Sequence, residues 1–525
     1  MAKRFYVTTP IYYPSNILHL GHAYTTTIAD ILARYKKSQG YEVFFLTGSD
    51  EHGQKIAKSA AAKNLEPKAF VDQIVAEFKD LWAKLKIDYT HFIRTTDESH
   101  IITVQKIFST LLKQGDIYLD KYQGWYCVSD EEFVTDLQID KATNTCKNCG
   151  GKLIELAEES YFFKISAYSQ KLLAYYQEHP TFIFPESRKN EMINNFIKPG
   201  LTDLSVTRTS FTWGVPVLEN PKHVVYVWID ALSNYLSALG YLQIDDSNFQ
   251  KFWVDEECEI VQLLGKEITR FHTIYWPILL MSLNLRQPNS ILSHGWIIND
   301  EGKMSKSKGN IIDPRILIER YSADALRCFL IKEISFGSDG KYSHEGFLNF
   351  FNAYLVNDLG NLLSRILTMI SKYSDSKIPK FENKEIKKYQ SELIFDFQTT
   401  IKDFQITMDQ YQVTDAVEVV WKLIAKLNKL IDDIKPWDLF KNQQTAELNN
   451  VLNLFANGLM IISILLAPIL VDASSKMQEQ LGVQPTSTLS PEFDLNSIAG
   501  SQVDKKELLF KRLDVQVELD YLNSK

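Results

Sequence analysis

The stretch Tyr41 to Thr47, YEVFFLT, is apolar on both faces, and it constrains the fold of this chain more than any other segment. A strand with two apolar faces needs cover on both sides, which in globular proteins means a parallel strand in a sheet flanked by helices. Phe5 to Thr8 ahead of it reads as another short strand, and Ile28, Ile31, Leu32 and Tyr35 mark a helix face at three- to four-residue spacing, stopped by Gly40. The first 55 residues therefore predict a βαβ unit. Its second strand ends in GSDEHG, so polar groups gather at strand carboxyl ends, where open α/β sheets bind ligands.

A chain of 525 residues exceeds a single core and predicts roughly three or four units of about 100–200 residues. From about Asp116 to Asn220 the helical pattern lapses into short strands, turns and three cysteines, which reads as an insertion. Strand-like runs return in VVYVWID, VDEECEIVQLLGKE and SILSHGWIIND, while beyond Phe347 only amphipathic patterns such as VEVVWKLIAKLNKLIDDI remain. The expected architecture is α/β, a doubly wound parallel, Rossmann-like sheet with an inserted knuckle, followed by an all-α helical bundle. Its parts are residues 1–115 and 223–300 for the two halves of the sheet, 116–222 for the insertion, 301–355 for a loop and connecting segment, and 356–525 for the bundle. The apolar run Leu459 to Val471 is short of the roughly 20 residues a bilayer span needs and contains Ser463 and Pro468. The first residues, MAKRFYVTTPIYYPS, lack a continuous apolar export core, so a cytoplasmic protein with no membrane partner is expected.

Two motifs carry chemistry. HLGH, His19 to His22, opens a helix directly after the first strand, where free N–H groups and a partial positive charge attract phosphate. Gly21 leaves room for close approach, and the two imidazoles can donate to phosphate oxygens as charge builds on them. KMSKS, Lys303 to Ser307, lies in the polar stretch NDEGKMSKSKGN, where Lys303, Lys306 and Lys308 would repel one another unless an anion such as a triphosphate joins them. With 57 Lys+Arg against 65 Asp+Glu, net −8, a nucleic acid cannot be held by overall charge and needs local contacts. Of five cysteines, Cys127, Cys146 and Cys149 cluster and read as a metal knuckle in a reducing compartment, with Cys258 and Cys328 as buried thiols.

The paired motifs HLGH and KMSKS resemble the signatures of the class I aminoacyl-tRNA synthetases. TTPIYYPSNILHLGHAY, GSDEHGQKI, YVWIDALSNYL, GKEITRFHTIYWPILL, HGWI, KMSKSKGN and IKPWDLF together resemble the methionyl-tRNA synthetase family through nearly the whole chain. That resemblance implies ATP-dependent formation of methionyl-adenylate and transfer to the terminal ribose of tRNA(Met), initiator tRNA included. His19, His22, Lys303 and Lys306 would be catalytic and, with Gly21, would bind ATP, with Mg²⁺ on the phosphates. It assigns methionine to Ile11, Tyr13, Asp50, Trp228, Ala231, Tyr235, Ile268, Phe271, His272 and Trp276. Asp50 would pair with the ammonium, the aromatics would wall the thioether, and Tyr13 and His272 would donate to its sulfur. It assigns a structural zinc to Cys127, Asp130, Cys146 and Cys149, a closed four-ligand set. It assigns the anticodon to Asn361, Arg365 and Trp437 in a region, residues 355–450, whose 13 Lys+Arg against 14 Asp+Glu leave only specific contacts to supply affinity. A monomer is expected. The leucine, isoleucine and valine enzymes are disfavoured because the insertion has no room for an editing domain. The alternatives are another class I adenylate-forming enzyme, or an RNA-binding paralogue without activation.

Overall fold

Six strands form an all-parallel sheet at the centre of the first part of the molecule. β1 (Arg4–Tyr12) leads into α1 (Leu20–Ser38), followed by β2 (Glu42–Ser49) and β3 (His91–Arg94). The spatial order is β3, β2, β1, then Cys258–Gly265, Ser290–His294 and Ile183–Phe184. The chain steps outward from β1 to β3 and later returns to the other side of β1. The boundary between β1 and Cys258–Gly265 is therefore the topological switch point, where a crevice opens at the strand carboxyl ends. The computed structural model describes residues 3–14, 18–127, 132–134, 138–147, 150–299, 302–303, 312–383, 386–488, 494–504 and 507–525.

The βαβ unit forms as the apolar pattern dictates. Phe5, Val7, Phe45 and Leu46 are fully buried, and α1 buries Ile28, Ile31 and Leu32. Lys36 and Lys37 occupy its last turn, where cations favour the helix dipole. Gly40 then takes φ +81°, a conformation cheap only for glycine.

Three segments differ from the sequence reading. VVYVWID contributes only Val224–Val225 to a side sheet, and Val227–Leu232 is helix. A short continuous apolar run has the same pattern in either state, so periodicity could not separate them. SILSHGWIIND breaks at Gly295, where a Cβ would sit 2.1 Å from the Ser338 carbonyl oxygen. Ser290–His294 stays in the main sheet, while Ile297–Asn299 pairs with Gly302–Lys303 and Gly340–Lys341. The expected insertion is built on a hairpin of β4 (Ile117–Cys127) and Leu153–Phe163, but it also lends Ile183–Phe184 to the main sheet as its edge strand.

The later part of the chain is helical, with Lys388–Asp409, Val413–Ile434 and Thr445–Leu466 packed on one another. Thr445–Leu466 is long and apolar enough to cross a membrane, yet 89% of its apolar window is buried inside the protein, as a core helix should be. One apolar core runs from Phe5 and Ile28 of the sheet layer into Leu427 and Phe455 of the bundle.

A buried ion pair joins these layers. Arg327 Nη2 donates to Asp30 Oδ2 of α1 at 2.7 Å, with both side chains fully buried. The guanidinium also donates to the carbonyls of Leu85, Pro468 and Ile469. Asp30 receives Arg34 Nε and the Asp88 amide, each at 2.7 Å. Truncating one member of such a pair leaves an uncompensated buried charge, at a cost of about 3–5 kcal/mol. Arg327→Met is therefore expected to lower the melting temperature by several degrees, and an unchanged thermal unfolding curve would contradict this role.

Candidate active site

The first turn of α1 forms around its two histidines. His19 is the N-cap, and its Nδ1 accepts from the Gly21 amide at 3.1 Å. His22 Nδ1 accepts from the His19 amide at 3.0 Å, which closes a reciprocal capping box. An Nδ1 that accepts from a backbone N–H carries no proton, so both neutral rings bear it on Nε2. The rings lie 4.0 Å apart, and burial, reinforced by His19, holds His22 well below its ordinary pKa. Two uncharged Nε2–H donors thus stand at the positive end of a helix, beside the switch point. A Cβ on Gly21 would meet the His19 ring at 2.9 Å, so this glycine makes room for the cap as well as for any ligand.

His294, ending its strand across the crevice, completes the framework. Its Nδ1 faces the Gly295 carbonyl at 2.7 Å and must donate, so its Nε2 accepts from Thr25 Oγ1 of α1 at 2.6 Å. Burial pushes His294 down as well, in keeping with a neutral ring. The backbone of Lys303 pairs with Ile298 in the small sheet. Lys306 lies outside the described residues.

The residues assigned to methionine divide into two layers. Ile11, Tyr13, Asp50, Trp228, Ile268 and Phe271 are half-buried. Ala231, Tyr235, His272 and Trp276 are buried. Trp228 stacks on Phe271 with centroids 3.5 Å apart, and with Ile11 and Ile268 they pack against the cluster that holds Tyr235 and Trp276. Asp50 follows β2, its amide donating to the Tyr12 carbonyl at 3.0 Å. His272 departs from the donor role expected of it. Its Nδ1 lies 3.0 Å from the Ile268 carbonyl and so holds the proton, while its Nε2 accepts from Tyr235 Oη at 2.7 Å. With burial pushing the imidazole down to about 4, this neutral ring has no second proton to offer a sulfur.

Sequence reading passed over a buried network beside these residues. Asp230 accepts from His52 Nδ1 at 2.7 Å and from His100 Nε2 at 2.9 Å. Burial alone would raise its pKa, but the two imidazoles hold the carboxyl down to about 2. Next in sequence to His52, buried Glu51 takes Arg94 in a two-point pair and also accepts from Ser49 and Thr96. The signal available was GSDEHG itself, whose Glu51 and His52 serve buried partners, Arg94 and Asp230, from elsewhere in the chain.

The distal assignments fall in two places. Cys127 and Cys146 are buried in one small cluster with Val134, Ile139 and Leu153, while Asp130 and Cys149 lie outside the described residues. Among the described residues no group of three or more His, Cys, Asp or Glu forms a metal site. In the bundle, Asn361 opens the helix Asn361–Tyr373 and is exposed, and Trp437, second residue of Pro436–Lys441, is 41% exposed. Arg365 is paired with Asp432, and exposed Phe440 lies 4.7 Å from Tyr373.

This sheet, with its histidine pair at the switch point, defines a class I aminoacyl-tRNA synthetase, and residues 5–367 match the family model described as tRNA synthetases class I (M). Residues 380–522 match the anticodon binding domain of methionyl tRNA ligase. The methionine–tRNA ligase of Enterococcus faecalis is 48% identical over 100% of this chain and 79% of its own length. That of Caldanaerobacter subterraneus is 49% identical over 100% and 81%. The Mycobacterium tuberculosis methionyl-tRNA synthetase in complex with methionyl-adenylate superposes with TM-score 0.90 at 36% identity, over 97% of this chain and 100% of that one. The apo form of that enzyme gives 0.85 at 33% identity, over 98% and 99%. The chain belongs to the methionyl-tRNA ligase family.

The neutral histidines make stability depend on pH. His272 titrates near 6.5 when unfolded and near 4 when folded, so the folded state refuses a proton that the unfolded chain accepts. Its contribution is complete above about pH 6.5 and is lost as pH falls towards 4. Melting temperature should decline across that window, and less steeply for His272→Gln. Parallel curves for the two proteins would contradict a neutral buried His272.

Proposed function

We infer that this chain activates L-methionine with ATP and transfers the product to tRNA(Met), initiator tRNA included. The methionine carboxylate attacks the α-phosphorus, the α–β phosphoanhydride bond breaks, and pyrophosphate departs to leave methionyl-adenylate. A hydroxyl of the terminal ribose then attacks the activated carbonyl and loses its proton, and AMP leaves. Neither step needs a protein nucleophile, so positioning and charge stabilisation are what the protein supplies. The observation that carries this reading is the pair of Nε2–H donors fixed at the N-terminus of α1, in a chain matched over its whole length by methionine–tRNA ligases.

In this reading His19 and His22 donate to the phosphates, and Gly21 keeps the helix end open to them. Lys303 and Lys306 neutralise the leaving pyrophosphate, and Mg²⁺ would supply further charge on the same oxygens. Asp50 holds the substrate ammonium. Trp228 and Phe271, with Ile11, Tyr13 and Ile268, face the thioether, while Ala231, Tyr235, His272 and Trp276 back them from the core. At the far end Asn361 and Arg365 read unpaired anticodon bases and Trp437 stacks on one. An exposed tryptophan favours recognition over packing, and a surface pair such as Arg365–Asp432 costs little to exchange for a base.

Cys127 and Cys146, with Asp130 and Cys149, would hold a structural zinc. Among the described residues the two buried thiols share one cluster with Val134, Ile139 and Leu153, an arrangement in keeping with two ligands of one closed site. Gly150 at φ +73° turns the chain back after the second thiol, its amide donating to the Cys146 carbonyl at 2.7 Å. Purified, tag-free protein should carry about one zinc per chain, a closed four-ligand complement. Metal-free protein whose melting temperature is untouched by Cys146→Ser would refute the site.

One paired assay tests the functional reading. ATP–pyrophosphate exchange should be stimulated best by methionine, and His22→Ala or Lys306→Ala should depress it by about 10²–10³-fold without unfolding the protein. Trp437→Ala should leave exchange intact and lower tRNA charging by about 5- to 150-fold, the worth of one stacked base. Preference for another amino acid would overturn the activity, and undiminished charging by Trp437→Ala would overturn the anticodon assignment.

A further inference from the structure

The buried network of His52, Asp230 and His100 lies outside every role assigned above, and its placement is specific. Asp230 is 1% exposed and His100 is fully buried. They come from separate parts of the fold: His52 from the loop after β2, His100 from the helix Glu98–Lys113, and Asp230 from Val227–Leu232. Asp230 sits between Trp228 and Ala231, and His52 follows Asp50 by two residues. Asp50, His52, Tyr226, Val227 and Asp230 line one small cavity. The network thus ties the residue proposed to hold the substrate ammonium to the helix proposed to wall its side chain.

The intervening residues make this link stiff. Three consecutive residues after β2 are each anchored: Asp50 through its amide to Tyr12, Glu51 to Arg94, and His52 to Asp230. Gly53 follows with its amide on the Trp213 carbonyl at 3.0 Å, and Trp213 Nε1 returns to the Glu51 carbonyl at 2.6 Å. On the far side His100 Nδ1 engages Ser237 Oγ at 2.7 Å, five residues beyond the helix that carries Trp228. An ionised carboxylate is costly to bury, and an apolar residue would fill this volume more cheaply were packing alone required. Charge-assisted bonds on both oxygens instead fix distance and direction.

We propose that Asp230 is a positioning residue that, through His52 on one oxygen and His100 on the other, sets the span between the Asp50 carboxylate and the Trp228 wall, and so sets the length of amino acid the pocket accepts. The inference rests on the methionine-pocket reading given above. It differs from a purely structural role because misplacing Asp50 relative to Trp228 affects amino-acid binding and selection, not ATP binding.

Steady-state ATP–pyrophosphate exchange tests it with methionine and its one-carbon-longer homologue ethionine, alongside melting temperature. Asp230→Asn should raise the KM for methionine by about 10- to 100-fold, the scale of an ångström's misplacement, and narrow the preference for methionine over ethionine. The KM for ATP should stay within about twofold. His52→Asn retains a donor near the place of Nδ1 and should bind methionine nearly as the parent does, whereas His52→Phe should match Asp230→Asn. This pair keeps the test open should Asp230→Asn fold poorly. A lowered melting temperature with unchanged KM and unchanged preference would overturn the proposal, as would an equal rise in both KM values, or equal defects in His52→Asn and His52→Phe. Asp50→Asn separates the two levels: if it leaves the methionine KM unchanged, the pocket reading itself fails. If it raises that KM while Asp230→Asn does not, only the positioning role fails.

Discussion

The salt bridge between Asp30 and Arg327 is the point from which the geometry of this molecule hangs. Asp30 lies midway along α1, whose first turn presents the histidines, so whatever fixes Asp30 fixes where those imidazoles stand. A buried ion pair is a poor source of stability unless its remaining hydrogen-bonding capacity is filled. Here it is filled, with three carbonyls on the guanidinium and two further donors on the carboxylate. Apart from Arg34 of α1 itself, those partners come from the loop after the Pro67–Lys84 helix and from the turn before Val471–Gln480. The network therefore locks α1 to the sheet layer and the bundle at once. A second tie at the end of α1, Lys36 to Glu259 and Asp409, bridges the switch-point strand and the helical half. The helix that carries the proposed phosphate donors is held at its middle and its end.

Such support matters because, in their proposed role, the histidines would act through direction more than charge. Each Nδ1 is spent on the backbone, so the proton on each Nε2 is set by the cap itself, before any substrate arrives. His294 and His272 follow the same rule in the opposite sense, each with Nδ1 donating to a carbonyl and Nε2 accepting from a hydroxyl. Four neutral, orientation-locked imidazoles around one crevice mean that charge complementary to phosphate has to come from elsewhere. The helix end supplies part of it, and in the proposed reading the lysines of KMSKS supply the rest.

Local patterns in the sequence were readable wherever the physics is local. YEVFFLT had to be a doubly covered parallel strand, and HLGH had to open a helix, because burial on two faces and capping are decided within a few residues. VVYVWID was misread for the converse reason. Its apolar pattern suits strand and helix alike, and the helix places Asp230 on two histidines 130 and 178 residues away in sequence. The edge strand Ile183–Phe184 was invisible for a similar reason, since two residues carry no periodicity and their pairing with Ile291 and Leu292 is wholly non-local. The donor role expected of His272 failed on its partners: a histidine's free proton depends on neighbours that only the fold brings together.

The two sides of the proposed phosphate site are attached to the sheet with unequal strength. On the histidine side, α1 is held by fully buried charges whose every shift would strand a polar group. On the lysine side, the small sheet that carries Lys303 continues from Ile297–Asn299, beyond Trp296. Asp339 joins that region to the switch-point strand, accepting from the Trp296 amide at 2.9 Å and from Lys266 Nζ at 2.6 Å. Lys266 also lies over the Trp296 ring at 4.0 Å. This clasp is open to solvent on the Asp339 side, and an ion pair reached by water contributes about 0–1 kcal/mol and is screened by salt, whereas breaking the buried pair costs several times that. Directional donors gain from rigidity, because a misplaced N–H loses its bond, while an ammonium on a long stem keeps most of its attraction as it shifts. The buried network thus stands behind the histidines, whose proposed role depends on direction, and the weaker clasp behind the lysines, whose proposed role depends on charge alone.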